Sequence, residues 1–166
     1  MEIRLLTPSD ADYYFHIRLE ALKNNPEAFA VSYEEEKSQT AQKYKERFQA
    51  EGSFTFGAFE GDQLVGTITL VKETLYKLRH RANIFAMYVA QDKRGLGIGK
   101  KLLEAAINKA RELDGVEQIY LTVVATNLPA KRLYTSFGFE VFSMEKRAMK
   151  LDDEYLDEEH MVLFIY

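Results

Sequence analysis

The chain has 166 residues, of which 46% are hydrophobic and 29% charged, with a formal net charge of −4 and no cysteine. That length fits a single domain with a sizeable core, and the acidic balance argues against nucleic acid, whose phosphates are held by excess Lys and Arg. The lack of cysteine excludes disulfides, thiolate catalysis and cysteine-ligated metals, and His16, His80 and His160 lie too far apart in sequence to suggest a metal site.

In chain order, Glu2–Leu6 reads as a short strand. A helix should start at Thr7-Pro8-Ser9-Asp10, with Thr7 as N-cap and Pro8 in the first turn. Ala11, Tyr14, Phe15, Arg18, Ala21 and Leu22 follow at helical spacing until Asn24-Asn25-Pro26 stops the run. Residues 26–39 show no clean period. Tyr44 and Phe48, four apart, suggest a helix over Thr40–Ala50. Alternation in Ser53–Glu60, the turn Gly61-Asp62 and a second run over Leu64–Lys72 predict a hairpin. Arg81–Ala90 is a strand apolar on both faces, followed by an amphipathic helix over 97–113 that Gly115 closes. Gln118–Val124 is nearly continuous in β-formers, as a doubly buried strand should be. A short helix over Leu128–Phe137 ends at Gly138, and Phe139–Lys150 with Glu159–Tyr166 form a closing pair of strands. Strand 81–90, helix 97–113 and strand 118–124 make a βαβ unit, so its strands should be parallel within a mixed sheet. No apolar run approaches the ~20 residues that span a bilayer, and the N-terminus has no signal-peptide pattern, so no membrane partner and a cytoplasmic location are expected.

The turn between strand 81–90 and its helix carries Arg94 and the alternating Gly95, Gly97 and Gly99. Glycines admit positive φ and let successive N–H groups converge, and the helix behind adds unpaired amides and a positive dipole end. Such a strand–turn–helix is suited to a phosphate or pyrophosphate. A P-loop does not fit, because Arg94 stands where its first glycine belongs and Lys101 where its hydroxyl residue belongs. A dinucleotide fingerprint does not fit either, since Lys100 or Leu102 occupies the third glycine position. A tight turn without a ligand is the plain alternative.

Gln91-Asp92-Lys93-Arg94-Gly95-Leu96-Gly97-Ile98-Gly99-Lys100 resembles the Gln/Arg-x-x-Gly-x-Gly/Ala motif of the GNAT superfamily of acetyl-CoA-dependent N-acetyltransferases. A second block, Asn127-Leu128-Pro129-Ala130-Lys131-Arg132-Leu133-Tyr134-Thr135-Ser136-Phe137-Gly138-Phe139, resembles another family segment, and the likeness covers about residues 53–142 by motif order. The resemblance implies one α/β (α+β) domain over 1–166. It would hold a mixed sheet of about seven strands, splayed between two parallel strands and flanked by about four helices.

It further implies that acetyl-CoA is the acyl donor and that no metal is needed. The donor's pantetheine arm would pair like an added strand with backbone groups of Met87 and Val89, which would also supply an oxyanion-stabilising N–H. Its pyrophosphate would rest on Arg94, Gly95, Leu96, Gly97, Ile98, Gly99 and Lys100. Asn127 would reach the cofactor arm, with a helix N-cap as its other role. Tyr134 would protonate the leaving thiolate, with a core aromatic as its other role. Many relatives carry a basic residue where this chain has Ser136; Lys131 or Arg132 could substitute. Strand 81–87 holds Asn83 and no carboxylate, so the base is a water relay or one of Glu73, His80 and His160.

The acceptor should be a primary amine of a small molecule or peptide. Phe29, Tyr33 and Glu34-Glu35-Glu36, and the acidic run Asp152–Glu159 before the last strand, are the segments expected near it. If that acidic run overhung the cleft it would favour a cationic amine. A homodimer is compatible with the family pattern. The alternative to an enzyme is a non-catalytic CoA- or acyl-CoA-binding sensor with the same fold.

Overall fold

The computed structural model describes residues 1–165, so the end of the expected closing strand at Tyr166 lies outside the described part. Strand β1 (Glu2–Leu5) leads through a 3₁₀ turn at Pro8–Asp10 into helix α1 (Ala11–Asn24). The chain tightens at Pro8 because Asp10 folds back: its carboxylate accepts the Thr7 N–H at 2.8 Å and two Arg4 guanidinium hydrogen bonds at 2.9 Å. Residues 26–39, without a period in sequence, contain a 3₁₀ turn at Pro26–Ala28 and the short helix α2 (Tyr33–Glu36). Ser32 caps α2 by accepting the Glu35 N–H at 3.1 Å. Helix α3 (Gln42–Gln49) follows.

Next come β2 (Ser53–Glu60), β3 (Gln63–Lys72), β4 (Arg81–Val89), α4 (Ile98–Glu112), β5 (Gln118–Val124), α5 (Leu128–Ser136), β6 (Glu140–Leu151) and β7 (Glu154–Phe164). The seven strands form one sheet in the order β1-β2-β3-β4-β5-β7-β6, and five α-helices flank it. Only β4 and β5 run parallel, joined by the α4 crossover; the other pairs are antiparallel. One expectation is corrected here. Residues 154–159 of the acidic run, expected before the last strand, lie within strand β7, with a turn at Asp152-Asp153 joining it to β6. Strand β6 is a sheet edge exposed to water, so the hairpin keeps most of its charges solvated while the backbone still pairs, and the buried Glu159 is paired with Lys131.

Alternate side chains point to opposite faces of the sheet, and each face has its own core. Leu102, Leu103, Ala106 and Ile107 of α4 pack on Ile68, Ala82, Ile84 and Ile119. On the other face Tyr14, Ile17 and Ala21 of α1 meet Tyr44 of α3, Phe59 and Leu64. On β4 that second core ends at Tyr88, and residues such as Arg81, Asn83, Phe85 and Tyr120 on β4 and β5 are only partly buried or exposed. Among the described residues no helix is long and apolar enough to cross a membrane.

Candidate active site

The site begins with a defect in β4. Register is lost between Thr67 and Thr69 of β3, so that Ala86 and Met87 together oppose Ile68. This is a β-bulge, and it puts Ala86 at φ 53°, a left-handed conformation for a residue with a small side chain. Thr67 Oγ1 donates to the Ala86 carbonyl at 3.3 Å and helps hold it. A bulge bends and twists its strand. Pairing between β4 and β5 accordingly stops after Arg81/Gln118, Ala82/Ile119 and Asn83/Tyr120, and the two strands part. The expected splay is present.

Backbone polarity in the gap follows from the ladder. The Ala90 N–H donates to the Val65 carbonyl at 2.9 Å, so Gly66 and Val89 face each other as a non-hydrogen-bonded pair. The N–H and C=O of Val89 therefore turn away from β3, into the opening. Its carbonyl accepts from Arg94 Nε at 3.0 Å, and a second Arg94 nitrogen reaches Asn25 Oδ1 at 2.9 Å. Arg94 thus ties the turn to the strand and to the end of α1, and the carbonyl expected to receive a ligand hydrogen bond already has a donor.

Gly95 and Gly97 have φ of 78° and 80°, and Gly97 is the N-cap of α4. Nothing lies within 4 Å of a Cβ at either position, so their glycine requirement is conformational. Gly99 is different: a Cβ there would meet Met87 Cε at 3.2 Å and Leu133 Cδ2 at 3.4 Å. The first intrahelical bond of α4 runs from Lys101 N–H to the Gly97 carbonyl, leaving the amides of Ile98, Gly99 and Lys100 without acceptors inside the helix. These amides and the dipole of a four-turn helix face a cleft of about 600 Å³ bounded by Arg94, Gly95, Gly97, Ile98, Gly99, Lys100, Met87 and Val89. Leu96 does not line this cleft and its side chain is exposed.

A second cavity of about 680 Å³ lies against β4 and β5, walled by residues 28–31, Arg18 and Arg47. Its floor includes Arg81, Asn83 and Phe85 of β4, Tyr120 and Thr122 of β5, Phe142 of β6 and His160 of β7. The two spaces meet where both touch Phe29, Met87, Val124, Asn127, Ala130 and Tyr134. Asn127 Oδ1 accepts the Ala130 N–H at 3.3 Å, so the capping role is realised at a residue that also faces both spaces.

Tyr134 is 6% exposed and sits edge-on to Phe139 with ring centroids 6.0 Å apart, and its hydroxyl makes no hydrogen bond among the described residues. Burial alone pushes its phenol up to about 12, so the group stays protonated across the physiological range. The phenol faces both cavities with its proton in place.

The remaining expectations separate. Lys131 is committed to Glu159 at 2.9 Å, and Ser136 Oγ donates to the Leu133 carbonyl at 2.6 Å; Arg132 is left exposed. Glu73 accepts from Asn83 Nδ2 at 2.8 Å and, like His80, does not line the larger cavity. His160 does line it, with Nδ1 3.1 Å from Thr122 Oγ1 and Nε2 3.5 Å from a Glu145 carboxylate oxygen. None of residues 152–159 lines either space. Arg18, Arg47, Tyr120 and Phe142 carry no site signal in the sequence, because they come from four elements that only the folded sheet brings together.

An amide-lined cleft joined to a second cavity through a strand gap describes a group-transfer enzyme. The family model "Acetyltransferase (GNAT) family" matches residues 17–139, and the chain belongs to that family of acyltransferases. An N-alpha-acetyltransferase from Sulfolobus acidocaldarius is 28% identical over 163 residues, covering 93% of this chain and 89% of that one. A spermine/spermidine N(1)-acetyltransferase from Bacillus subtilis is 40% identical over 53 residues, only 32% of this chain and 35% of that protein. The fold matches a putative acetyltransferase from Salmonella typhimurium, solved with its cofactor acetyl-CoA, with a TM-score of 0.86 at 21% identity over 99% of this chain and 93% of that chain.

Proposed function

We propose that this chain moves an acetyl group from acetyl-CoA to a primary amine by direct attack within a ternary complex. The observation that carries the reading is the meeting of two cavities at Tyr134 and Met87, one lined by unpaired amides and the other open on the opposite side of the strand gap. The amides of 98–100, with Gly95 and Gly97 shaping the turn, would hold the donor's pyrophosphate. Met87 and the inward-turned Val89 N–H would align its amide-bearing arm, as an added strand does at a sheet edge. Acetyl-CoA supplies the activated acyl carbon.

An amine with a pKa near ~10.4 arrives charged and must lose a proton before its lone pair can attack. Of the basic side chains on the acceptor side, the His160 imidazole is the one that can take up a proton, since arginines stay charged, and we assign that proton to it through solvent. As the new N–C bond forms and the C–S bond breaks, the Tyr134 phenol gives its proton to the departing sulfur. The nitrogen sheds its second proton to solvent as it becomes an amide, and solvent returns a proton to the phenol. Names of relatives that acetylate amines agree with the reaction class. Release of free thiol from acetyl-CoA that depends on added amine tests the proposal. Saturable donor binding without amine-dependent release across a broad panel would replace it by a CoA-binding sensor.

A further inference from the structure

The acceptor cavity has a charge pattern opposite to the chain as a whole. The sequence carries 26 acidic residues against 22 Lys and Arg, yet no Asp or Glu lines this cavity, while Arg18, Arg47 and Arg81 do. All three arginines are half-buried, and none of their guanidinium groups makes a hydrogen bond or ion pair among the described residues. Several partly buried cations elsewhere are paired with carboxylates: Arg4 with Asp10, Lys43 with Glu36, Lys131 with Glu159.

Each of the three is held by an aromatic face in place of a carboxylate. The Arg18 guanidinium lies 4.8 Å from the Phe29 ring centroid, Arg47 5.2 Å from Tyr44 and Arg81 3.9 Å from Tyr120. An aromatic face fixes a guanidinium without using its in-plane N–H donors, which stay free for a planar oxyanion. Arg81 Nε is buried and has no partner among the described residues. Such an orphaned donor is costly and marks a guanidinium whose hydrogen-bonding capacity the protein itself does not use up. Glu36, whose charge Arg18 feels, does not cancel the excess, because Lys43 and Tyr44 already bind it.

We propose that the acceptor is an amino compound that also carries an oxyanion, an amino acid being the type, with its carboxylate seated by Arg18, Arg47 and Arg81. The proposal rests on the acyl-transfer reading above and reverses the expectation of a cationic acceptor. Positive charge on the walls disfavours polyamines and orients a zwitterion with its anion toward the arginines and its amine toward the strand gap. A carboxylate and a phosphate share this chemistry.

The test compares amine-dependent thiol release from acetyl-CoA with L-amino acids, their carboxamides, spermidine and phosphoethanolamine. Charged hydrogen bonds of the usual strength predict that kcat/KM for a carboxylate exceeds that of its carboxamide by about 10- to 100-fold. The gap should close in Arg81→Met and be partly kept in Arg81→Lys. The Arg18→Gln/Arg47→Gln double variant gives the same readout should Arg81→Met fail to fold. A preference for phosphoethanolamine over every amino acid supports the anion subsite and assigns it to phosphate. Equal or better turnover of carboxamides or spermidine overturns the proposal while leaving acyl transfer intact. If no amine turns over, titration of the CoA-saturated protein with N-acetyl amino acids decides. Binding that the arginine variants weaken supports the subsite although transfer fails; no binding overturns it.

Discussion

Tyr134→Phe separates catalysis from packing, because the structure gives the hydroxyl no structural duty. It accepts and donates no hydrogen bond among the described residues, and the ring keeps its edge contact with Phe139 when the oxygen is removed. Deleting an unpaired, buried hydroxyl should leave the melting temperature unchanged or slightly raised. The catalytic effect should be larger. Thiols with a pKa near ~8.5 leave fairly well unaided, so the loss should sit at the low end of general-acid effects, about 10²-fold in kcat, or about 2.7 kcal/mol. Donor affinity should stay within about twofold, since the phenol is not needed to hold the pyrophosphate. Steady-state thiol release with saturating amine, beside thermal melting, reads both quantities. A phenol raised to about 12 also predicts that the wild-type rate shows no fall from loss of this proton up to about pH 11, where an ordinary tyrosine would be mostly ionised. A variant with wild-type kcat, or one that loses kcat and stability together, would refute the assignment of Tyr134 as acid.

Other outcomes follow from the turn and from the N-terminal segment. Gly97→Val forces a β-branched residue to φ 80°, at a cost of about 1–3 kcal/mol, and should weaken donor binding about tenfold or more by calorimetry; an unaltered Kd would contradict the cradle. Asp10 is held below the usual carboxylate range, chiefly by its Arg4 hydrogen bonds and also by Thr7. Its contribution to stability is therefore full above the unfolded value of ~3.9 and fades as pH falls through the lower folded one. Asp10→Asn should cost about 1–2 kcal/mol at pH 7, a figure reduced for the exposure of Arg4, and the gap to wild type should narrow in denaturant titrations below about pH 4. A gap that stays constant down to about pH 2 would show that the carboxylate's charge is irrelevant.

The cofactor half of this site was legible in sequence because it is local. Arg94 to Lys100 are consecutive, their glycine pattern states a backbone conformation, and Asn127 and Tyr134 lie on one short helix. The parallel strands followed from the crossover, and the gap between them from the family likeness. The bulge at Ala86 was not visible: alanine at positive φ has no compositional mark, and only the lost register with β3 reveals it. The acidic run was placed before the last strand for a related reason, since charges on an edge hairpin mask the strand pattern. The acceptor cavity was hidden because its walls are assembled from α1, α3, β4, β5, β6 and β7, with no two of its arginines in one segment. Arg81 carried a faint signal, a lone charge opening a strand otherwise apolar through Val89 apart from Asn83.

Titration of coenzyme A into the pure folded protein tests the account at its root, the claim that the amides between Arg94 and Lys100 hold a pyrophosphate beside the strand gap. Saturable heat with one site per chain is the predicted result. No uptake at millimolar ligand would contradict it.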